Sequence, residues 1–369
     1  MYMRSKFAIG LTLLFAASVF AQNRIDPQNS LHITLPDDSP LGLVQADWGE
    51  SNATARGSAM LLDLHTSLVF KNSSQRRVRG VTLLVKAQEV TPGGKASVSV
   101  PSLNVNPGEL FPIRIDLRLL RPLQTGNGPL VEVALDGILF DDLSFYGPNR
   151  LNSRRSLTVW EMEARRDRQH FMAALQTGGV EGLKQEMVAS LNRQAERNGM
   201  EARVTQSGRA SNFTAERNVQ FAFLEVPGAP LDLSEGTVAV SGSQGLAPRI
   251  SVRNRSNKQV RGMELGWLIK DSGGKEFVAG TIPLDVPLAP HQTTKVVQDG
   301  TFKFDRPNGR PINIDSMTAY VSSVEFADGN MWIPSRGSRI PTPSPEEHRL
   351  SELYRNKGVN ALIEELKKY

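Results

Sequence analysis

The sequence predicts a mainly β protein with some helix, built as two tandem immunoglobulin-like antiparallel β-sandwiches, each followed by a helical hairpin. Three observations lead to this prediction: short β-branched and aliphatic runs between turn residues, two stretches with helical periodicity, and a segment that occurs twice. Residues 72–80 (NSSQRRVRG) return as residues 254–262 (NRSNKQVRG), with five of nine positions identical. Other matches follow in the same order: Pro40 with Pro230, Gly94 with Gly274, Pro107 with Pro290, Tyr146 with Trp332, Pro148 with Pro334 and Gly179 with Gly358. Collinear matches are typical of an internal repeat.

Residues 1–21 are predicted to be a secretory signal peptide that is cleaved before Gln22. Arg4 and Lys6 precede an apolar run over residues 7–20, and Ala21 is a small residue of the kind that signal peptidases recognise. The run is shorter than the roughly 20 residues that span a bilayer, which disfavours the alternative of an uncleaved anchor. We therefore expect a protein exported to the periplasm or secreted, with no membrane span after cleavage.

The composition indicates a globular chain without covalent cross-links. Of its 369 residues, 39% are hydrophobic and 22% are charged, which is typical of folded domains and allows two cores. The chain has no cysteine, which excludes disulfides, thiolate metal ligands and cysteine nucleophiles. A formal net charge of +5 permits an acidic partner but does not require one.

Module 1 is predicted over residues 30–199, with a β-sandwich over about 30–163 and a helical hairpin over about 164–199. Its strands are predicted at residues 67–71, 81–85, 111–117, 131–135 and 138–145. Short strands at near-regular spacing, separated by polar and glycine-containing turns, are typical of an antiparallel sandwich. Apolar residues on one helical face then follow on both sides of Gly178 and Gly179, which favours a hairpin.

Module 2 is predicted over residues 219–369, after a polar linker over residues 200–218. Its sandwich covers about 219–340, with the clearest strands at 250–253, 262–270, 295–297, 317–321 and 323–326. The hairpin covers about 344–368. Ser344 is a good N-cap, Pro345 suits the first helical position, and Gly358 should interrupt the helix.

The turn residues of both copies resemble those of FxLYD-type and related immunoglobulin-like modules of bacterial exported proteins. Copy two carries Asn254, Ser256, Val260, Gly262, Gly274, Lys275 and Pro290; copy one carries Asn72, Ser74, Val78, Gly80, Gly94, Pro107 and Gly108. Both copies lack the aromatic signature of that group. The resemblance implies a β-sandwich that serves as a binding or spacer unit, and it brings no catalytic residues.

The sequence contains no pattern that predicts an enzyme, a cofactor or a metal site. Its five histidines are not at metal-ligand spacing, and no nucleophile elbow occurs. Residues 93–97 superficially resemble a phosphate loop, but the glycines fit a hairpin turn better. Asp141 and Asp142 are adjacent on a predicted strand and would point to opposite faces, so they do not form a catalytic pair.

Seven residues are candidates for partner binding: Arg76, Arg77, Arg79, Tyr146, Lys258, Arg261 and Trp332. The basic cluster at residues 76–79 is partly repeated at Lys258 and Arg261, and further arginines cluster at 154–155 and 165–168. Basic clusters can bind acidic polymers, although charge also protects strand edges from aggregation. Tyr146 and Trp332 can stack on sugars or anchor a protein, although aromatic residues there can equally close a core.

These observations predict a non-enzymatic exported interaction or spacer protein whose partner is a protein of the envelope or the extracellular space. The first alternative is a carbohydrate- or peptidoglycan-binding envelope protein. The second is an envelope hydrolase with a site between the two copies. Export makes nucleic acid an unsuitable partner.

Overall fold

A computed structural model describes residues 23–24, 30–88, 93–123, 129–195, 198–199, 201–205, 217–297, 301–305, 312–336 and 343–369. The chain divides into two compact units. The first unit consists of Met1–Lys71, Leu84–Val98 and Phe111–Ala134. The second unit consists of Asn72–Leu83, Ser99–Leu110 and Leu135–Tyr369.

The described residues up to Ala195 form ten strands and a long helix. The strands are β1 (Asn23–Arg24), β2 (Leu31–Thr34), β3 (Leu41–Asp47), β4 (Asn52–Arg56), β5 (Ala59–Asn72), β6 (Val78–Lys86), β7 (Lys95–Val100), β8 (Leu110–Pro122), β9 (Val131–Phe140) and β10 (Phe145–Tyr146). Helix α1 covers Ser153–Ala195.

The rest of the chain contains eleven described strands and a second helix. The strands are β11 (Asn198–Gly199), β12 (Glu201–Thr205), β13 (Arg217–Phe223), β14 (Leu231–Ser241), β15 (Gln244–Asn254), β16 (Val260–Asp271), β17 (Glu276–Leu284), β18 (Thr293–Val297), β19 (Thr301–Asp305), β20 (Ile314–Phe326) and β21 (Met331–Trp332). Helix α2 covers Pro345–Leu366.

The first unit is organised around the long strand β5. The sheet order is β1-β4-β5-β3, and β8 also pairs with β5. Buried and more exposed residues alternate along β5, as expected for a strand with one face on a core. Leu62, Leu64, Leu68 and Phe70 fill that core, and the Phe70 ring lies 6.1 Å from the Phe111 ring.

A second sheet has the order β10-β9-β6-β7, and β2 adds to β9 in parallel. Strands β6, β7 and β9 contribute residues to both units. The segment Val78–Val85 is buried without alternation, which is typical of a strand covered on both faces.

The second unit contains a single eleven-stranded sheet that nearly closes into a barrel. Its main order is β11-β17-β16-β20-β13-β14-β15-β19-β12. Most pairs are antiparallel, but β13 runs parallel to β20, where Phe221 pairs with Met317. The interior is aromatic: Trp267 is 1% exposed and makes edge-to-face contacts with Phe221 and Phe302.

The two helices pack on each other within the second unit. Phe171, Leu183 and Met187 of α1 form an apolar cluster with Leu350, Leu362 and Leu366 of α2. Each helix bends sharply at a glycine in the left-handed region, Gly179 (φ 63°) in α1 and Gly358 (φ 79°) in α2. Neither described helix combines the length and apolar character needed to cross a membrane.

The coarse prediction of a mainly β protein with helix is confirmed, since strands account for more of the described residues than helices do. The prediction of two tandem immunoglobulin-like sandwiches, over about 30–163 and 219–340, is wrong. The region of the expected second sandwich forms part of one eleven-stranded sheet. The second unit also includes residues 72–83 and 99–110, which belong to the first half of the sequence. Turn spacing identifies strands locally, but it does not determine which strands pair.

The prediction of two helical hairpins, at 164–199 and 344–368, each attached to its own sandwich, is also wrong. The described residues instead form two bent helices that share one apolar cluster. Helix α1 begins at Ser153, eleven residues before the expected start. The sequence favours a strand there because Thr158, Val159 and Trp160 have high strand propensity. Strand β12 lies within the segment 200–218 that was predicted as a linker.

Candidate functional site

A cavity of about 360 Å³ lies at the start of α1 in the second unit. Its wall is mostly polar and combines side chains from the α1 entrance with side chains from the eleven-stranded sheet and its loops. The lining residues are Asn149, Asn152, Arg154, Arg155, Arg261, Asp285, Pro287 and Glu325. The volume falls in the lower part of the range of small-molecule sites.

A buried carboxylate positions the segment that forms this wall. Asp136 is 1% exposed and accepts hydrogen bonds from the backbone N–H of Arg150 (2.8 Å) and Leu151 (3.3 Å). It also accepts one from Ser153 Oγ at 2.6 Å. The Asn149 side chain accepts from the Arg154 backbone N–H at 2.9 Å. The turn before α1 is therefore held by hydrogen bonds on both sides, and the cavity is bounded by an ordered backbone.

Arg155 is the central residue of the cavity. Its side chain is 8% exposed, its Nε donates to Glu325 Oε2 at 2.8 Å, and its Nη2 donates to Asp285 Oδ1 at 2.7 Å. Burial acts to lower the pKa of Arg155, but the hydrogen bonds from Asp285 and Glu325 outweigh it and hold the pKa above its usual value. Arg155 is therefore a permanent cation that anchors α1 to the sheet.

Two glycines make room for the first turn of α1. A Cβ on Gly262 of β16 would lie 2.5 Å from Arg155 Nη2, and a Cβ on Gly80 of β6 would lie 2.8 Å from Leu157 Cδ2. Only glycine lets the Arg155 guanidinium lie against the backbone of β16 at this distance. These are the glycines that end the two matching sequence segments, so their role is close helix packing.

The cavity carries more positive than negative charge. Three arginines line it against two carboxylates, and Arg155 makes the short hydrogen bonds to both carboxylates. Arg261 is 61% exposed, and its contact with Glu325 is long, at 3.5 Å. Within the part of the chain that the structure describes, the Arg154 guanidinium makes no hydrogen bond or ion pair. The cavity can therefore still accept an anion.

Of the predicted candidates, Arg261 is the one that lines this cavity. Arg76 and Lys258 lie at similar loop positions, each near an aspartate and over a phenylalanine. Arg76 approaches Asp142 and the Phe140 ring, and Lys258 approaches Asp328 and the Phe326 ring. Arg77 donates to the Asn106 side chain at 3.0 Å. These residues do not converge on the cavity.

Arg79 belongs to a buried ionic cluster instead. It lies 3.7 Å from Glu161 and is 9% exposed at its side chain. Glu161 also binds Arg168, and Arg168 binds Glu346 of α2 at 3.1 Å. Burial lowers the pKa of Arg79, and Glu161 opposes that shift. The cluster joins α1 to α2, so Arg79 serves packing.

The predicted aromatic residues are half-buried on short strands. Tyr146 lies on β10 and pairs with Ile138, and Trp332 lies on β21 and pairs with Val324. Trp332 packs against the apolar core of the sheet. Among the roles that the sequence left open for it, this contact favours core closure over sugar stacking or protein anchoring.

Sequence reasoning missed most of the cavity. No sequence pattern points to Asn149, Asn152, Asp285 or Glu325, and residues 154–155 stand out only as a basic pair. One feature of the sequence could have pointed to the cavity, namely the charges at the two helix starts. The first turn of α1 has no acidic residue, whereas the first turn of α2 has Glu346 and Glu347. Among the described residues, no group of three or more His, Cys, Asp or Glu could hold a metal ion.

Comparisons with known proteins identify no relative. No protein-family model matches the chain, and no curated protein matches it in sequence. A β-glucosidase from Kluyveromyces marxianus is similar at 8% identity and a TM-score of 0.17, over 72% of this chain and 45% of that one. A red sea bream transglutaminase is similar at 9% identity and a TM-score of 0.13, over 77% and 31%. The chain spans less than half the length of these structures, and the likeness to FxLYD-type modules stays a prediction.

Proposed function

We propose that this protein is a non-enzymatic exported interaction protein that binds its partner at the cavity beside α1. The observation that carries the proposal is the arginine-rich wall of that cavity, in which Arg154 and Arg261 remain accessible. Accessible arginines are common anchors at protein interfaces. Export follows from the predicted signal peptide at residues 1–21 and forms part of the same proposal.

The chemistry of the cavity supports binding rather than catalysis. Asp285 and Glu325 are its two carboxylates, and Arg155 donates a short hydrogen bond to each. Both carboxylates therefore serve to hold the Arg155 guanidinium in place. The remaining polar groups are amides and guanidinium groups, which position a ligand.

In-cell photocrosslinking tests this function. A photoreactive amino acid replaces Asn152, which is exposed and lines the cavity, in the full chain expressed in its source organism. The control carries the same amino acid at Lys357, an exposed position on α2. We expect one or two protein adducts that form from position 152 and not from position 357.

Two outcomes would count against this function. Adducts with cell-wall fragments only would support the polymer-binding alternative. An identical set of adducts from both positions, or none from position 152, would contradict an interaction site at the cavity.

A further inference from the structure

We infer that the cavity binds a single carboxylate group, supplied by an acidic side chain of the partner. This inference rests on the proposed function and names the chemical group that the site recognises. It is carried by the charges at the start of α1, by the exposed side of the Arg155–Asp285 ion pair, and by the balance of charges around the cavity.

The start of α1 departs from the rule for helix termini. A helix N-terminus carries a partial positive charge, so acidic residues stabilise it and basic residues destabilise it. Helix α2 follows the rule with Glu346 and Glu347, whereas α1 places Arg154 and Arg155 in its first turn and has no acidic residue there. Departures from local rules concentrate at functional sites, and this one adds positive potential where the cavity lies.

Arg155 provides the second, independent observation. Its Nε and Nη2 have acceptors, but its Nη1 is buried and has no hydrogen-bond partner among the described residues. Because this nitrogen has almost no exposed surface, a ligand in the cavity does not contact it, and Arg155 meets a ligand beside Asp285 instead. Arg155 lines the cavity, and the 68% exposure of Asp285 leaves the adjoining ion pair open to an incoming anion.

The charge balance selects a monoanion. A phosphate group carries about −1.5 to −2 charges at neutral pH and would meet the two carboxylates of Asp285 and Glu325. A carboxylate carries one charge, which matches the excess of one arginine over the carboxylates. Arginine binds carboxylates through two parallel hydrogen bonds, and this geometry suits the unpaired Arg154.

The size and lining of the cavity favour a carboxylate on a peptide over a small free acid. The volume of about 360 Å³ is large enough to take a glutamate side chain together with neighbouring peptide groups. Asn149 and Asn152 supply amides that can donate to and accept from a peptide backbone.

Ligand-observed NMR titrations of the full mature chain test the inference. The probes are N-acetyl-Gly-Glu-Gly-amide, the same peptide with glutamine, acetate, and inorganic phosphate. We expect the glutamate peptide to bind and the glutamine peptide to bind about tenfold more weakly, because one charged hydrogen bond is lost. Acetate that binds as tightly as the glutamate peptide would overturn the assignment to an acidic side chain of a partner and point to a small free acid.

Two variants connect binding to the cavity. Arg154→Gln should weaken the glutamate peptide about tenfold. Asn152→Asp places a negative charge at the cavity and should weaken the peptide similarly, while aspartate keeps a favoured residue just before the helix and so preserves folding. Arg355→Gln changes an exposed arginine on α2 and should leave affinity unchanged.

The inference is overturned if the glutamate and glutamine peptides bind equally, if phosphate binds more tightly than either carboxylate, or if neither cavity variant changes the affinity. Those results leave the crosslinking experiment intact, because adducts from position 152 do not depend on which group of the partner is recognised. The carboxylate inference and the proposed function can therefore fail separately.

Discussion

Side-chain hydrogen bonds in two loops agree with what their residue types predict. The side chain of Asn72 donates to the backbone oxygen of Arg76 at 2.8 Å, and the side chain of Asn254 donates to that of Lys258 at 2.8 Å. In each loop a serine two residues later donates to the asparagine at 2.7 Å. Such turns form from near neighbours in the chain, so the sequence is enough to predict them.

The residues of the cavity could not be predicted in the same way. Arg155, Asp285 and Glu325 are far apart in the chain and meet only through the packing of α1 on the sheet. Their pairing depends on Gly262, whose missing side chain leaves space for the guanidinium. A glycine in a sequence indicates freedom of the backbone, but it does not show which side chain will occupy the space.

Substitution of Gly262 by alanine should destabilise the protein by about 1–3 kcal/mol, the usual cost of inserting a methyl group into close packing. The new Cβ would lie 2.5 Å from Arg155 Nη2 and would displace the guanidinium from Asp285. Urea unfolding followed by circular dichroism measures the change. As a control, Gly178→Ala introduces a methyl group into open space within α1 and should be neutral or stabilise by up to about 1 kcal/mol. Equal effects of the two changes would disprove the steric role of Gly262.

Glu163 should make stability depend on pH. Burial raises the pKa of this half-buried residue from 4.5 to about 7, with Arg166 opposing the shift and Asp167 adding to it. The folded state then binds a proton more tightly than the unfolded state, so the stabilising effect of protonation is complete below pH 4.5 and is lost as pH rises to about 7.

Glutamine resembles the protonated side chain, so Glu163→Gln should be more stable than the parent chain at pH 8 and similar to it at acidic pH. Chemical unfolding at a series of pH values measures the difference. Glu181→Gln, at a side chain that is 75% exposed, should keep the pH dependence of the parent. A parallel pH dependence for Glu163→Gln and the parent chain would show that Glu163 is not the titrating group.

At the scale of elements, capping signals were predictive and strand partners were not. Ser344 caps α2 as expected, with its Oγ accepting from Glu347 N–H at 3.0 Å and Pro345 in the first turn. The interruption expected at Gly358 is also present. These signals act within one turn of the chain. The start of α1 was mistaken because its β-branched and aromatic residues face the packed interior, where tertiary contacts override propensity.

The contact between the helices should be sensitive to loss of a buried charge. Glu346 is fully buried and binds Arg168, itself 6% exposed, at 3.1 Å. Glu346→Gln leaves Arg168 without full compensation, and removal of one member of a buried ion pair costs about 3–5 kcal/mol. The matched change Glu364→Gln breaks an exposed pair with Lys367 and should cost less than about 1 kcal/mol. Equal unfolding free energies for the two variants would contradict a structural role for this cluster.

At the scale of the whole molecule, the sequence located fewer than half of the described strands and did not determine the architecture. The second unit combines residues 72–83 and 99–110 with everything from Leu135 onward. The spacing of turns and apolar residues carries no information about this division of the chain. The division depends on which strands pair across long stretches of sequence. The domain at residues 219–369 stays a prediction.

We expect residues 219–369, expressed alone, not to fold cooperatively. This fragment lacks Arg155, and it lacks Phe171, Leu183 and Met187, which bury one side of α2. Buried apolar area would be exposed and Glu325 would lose its buried partner. Thermal unfolding of the fragment, compared with the full chain, measures this. A sharp transition with native-like circular dichroism would instead support an independent module.

The parallel pairing of β13 with β20 also affects how fast the second unit folds. Phe221 pairs with Met317, about a hundred residues later, and β14 to β19 lie between them in the chain. Closing such a long loop costs chain entropy before any contact repays it, and folds rich in distant contacts form in about milliseconds to seconds. Newly made chains would thus expose unpaired strands for that time. If the protein is exported, this slow closure would help to keep the chain unfolded until translocation is complete.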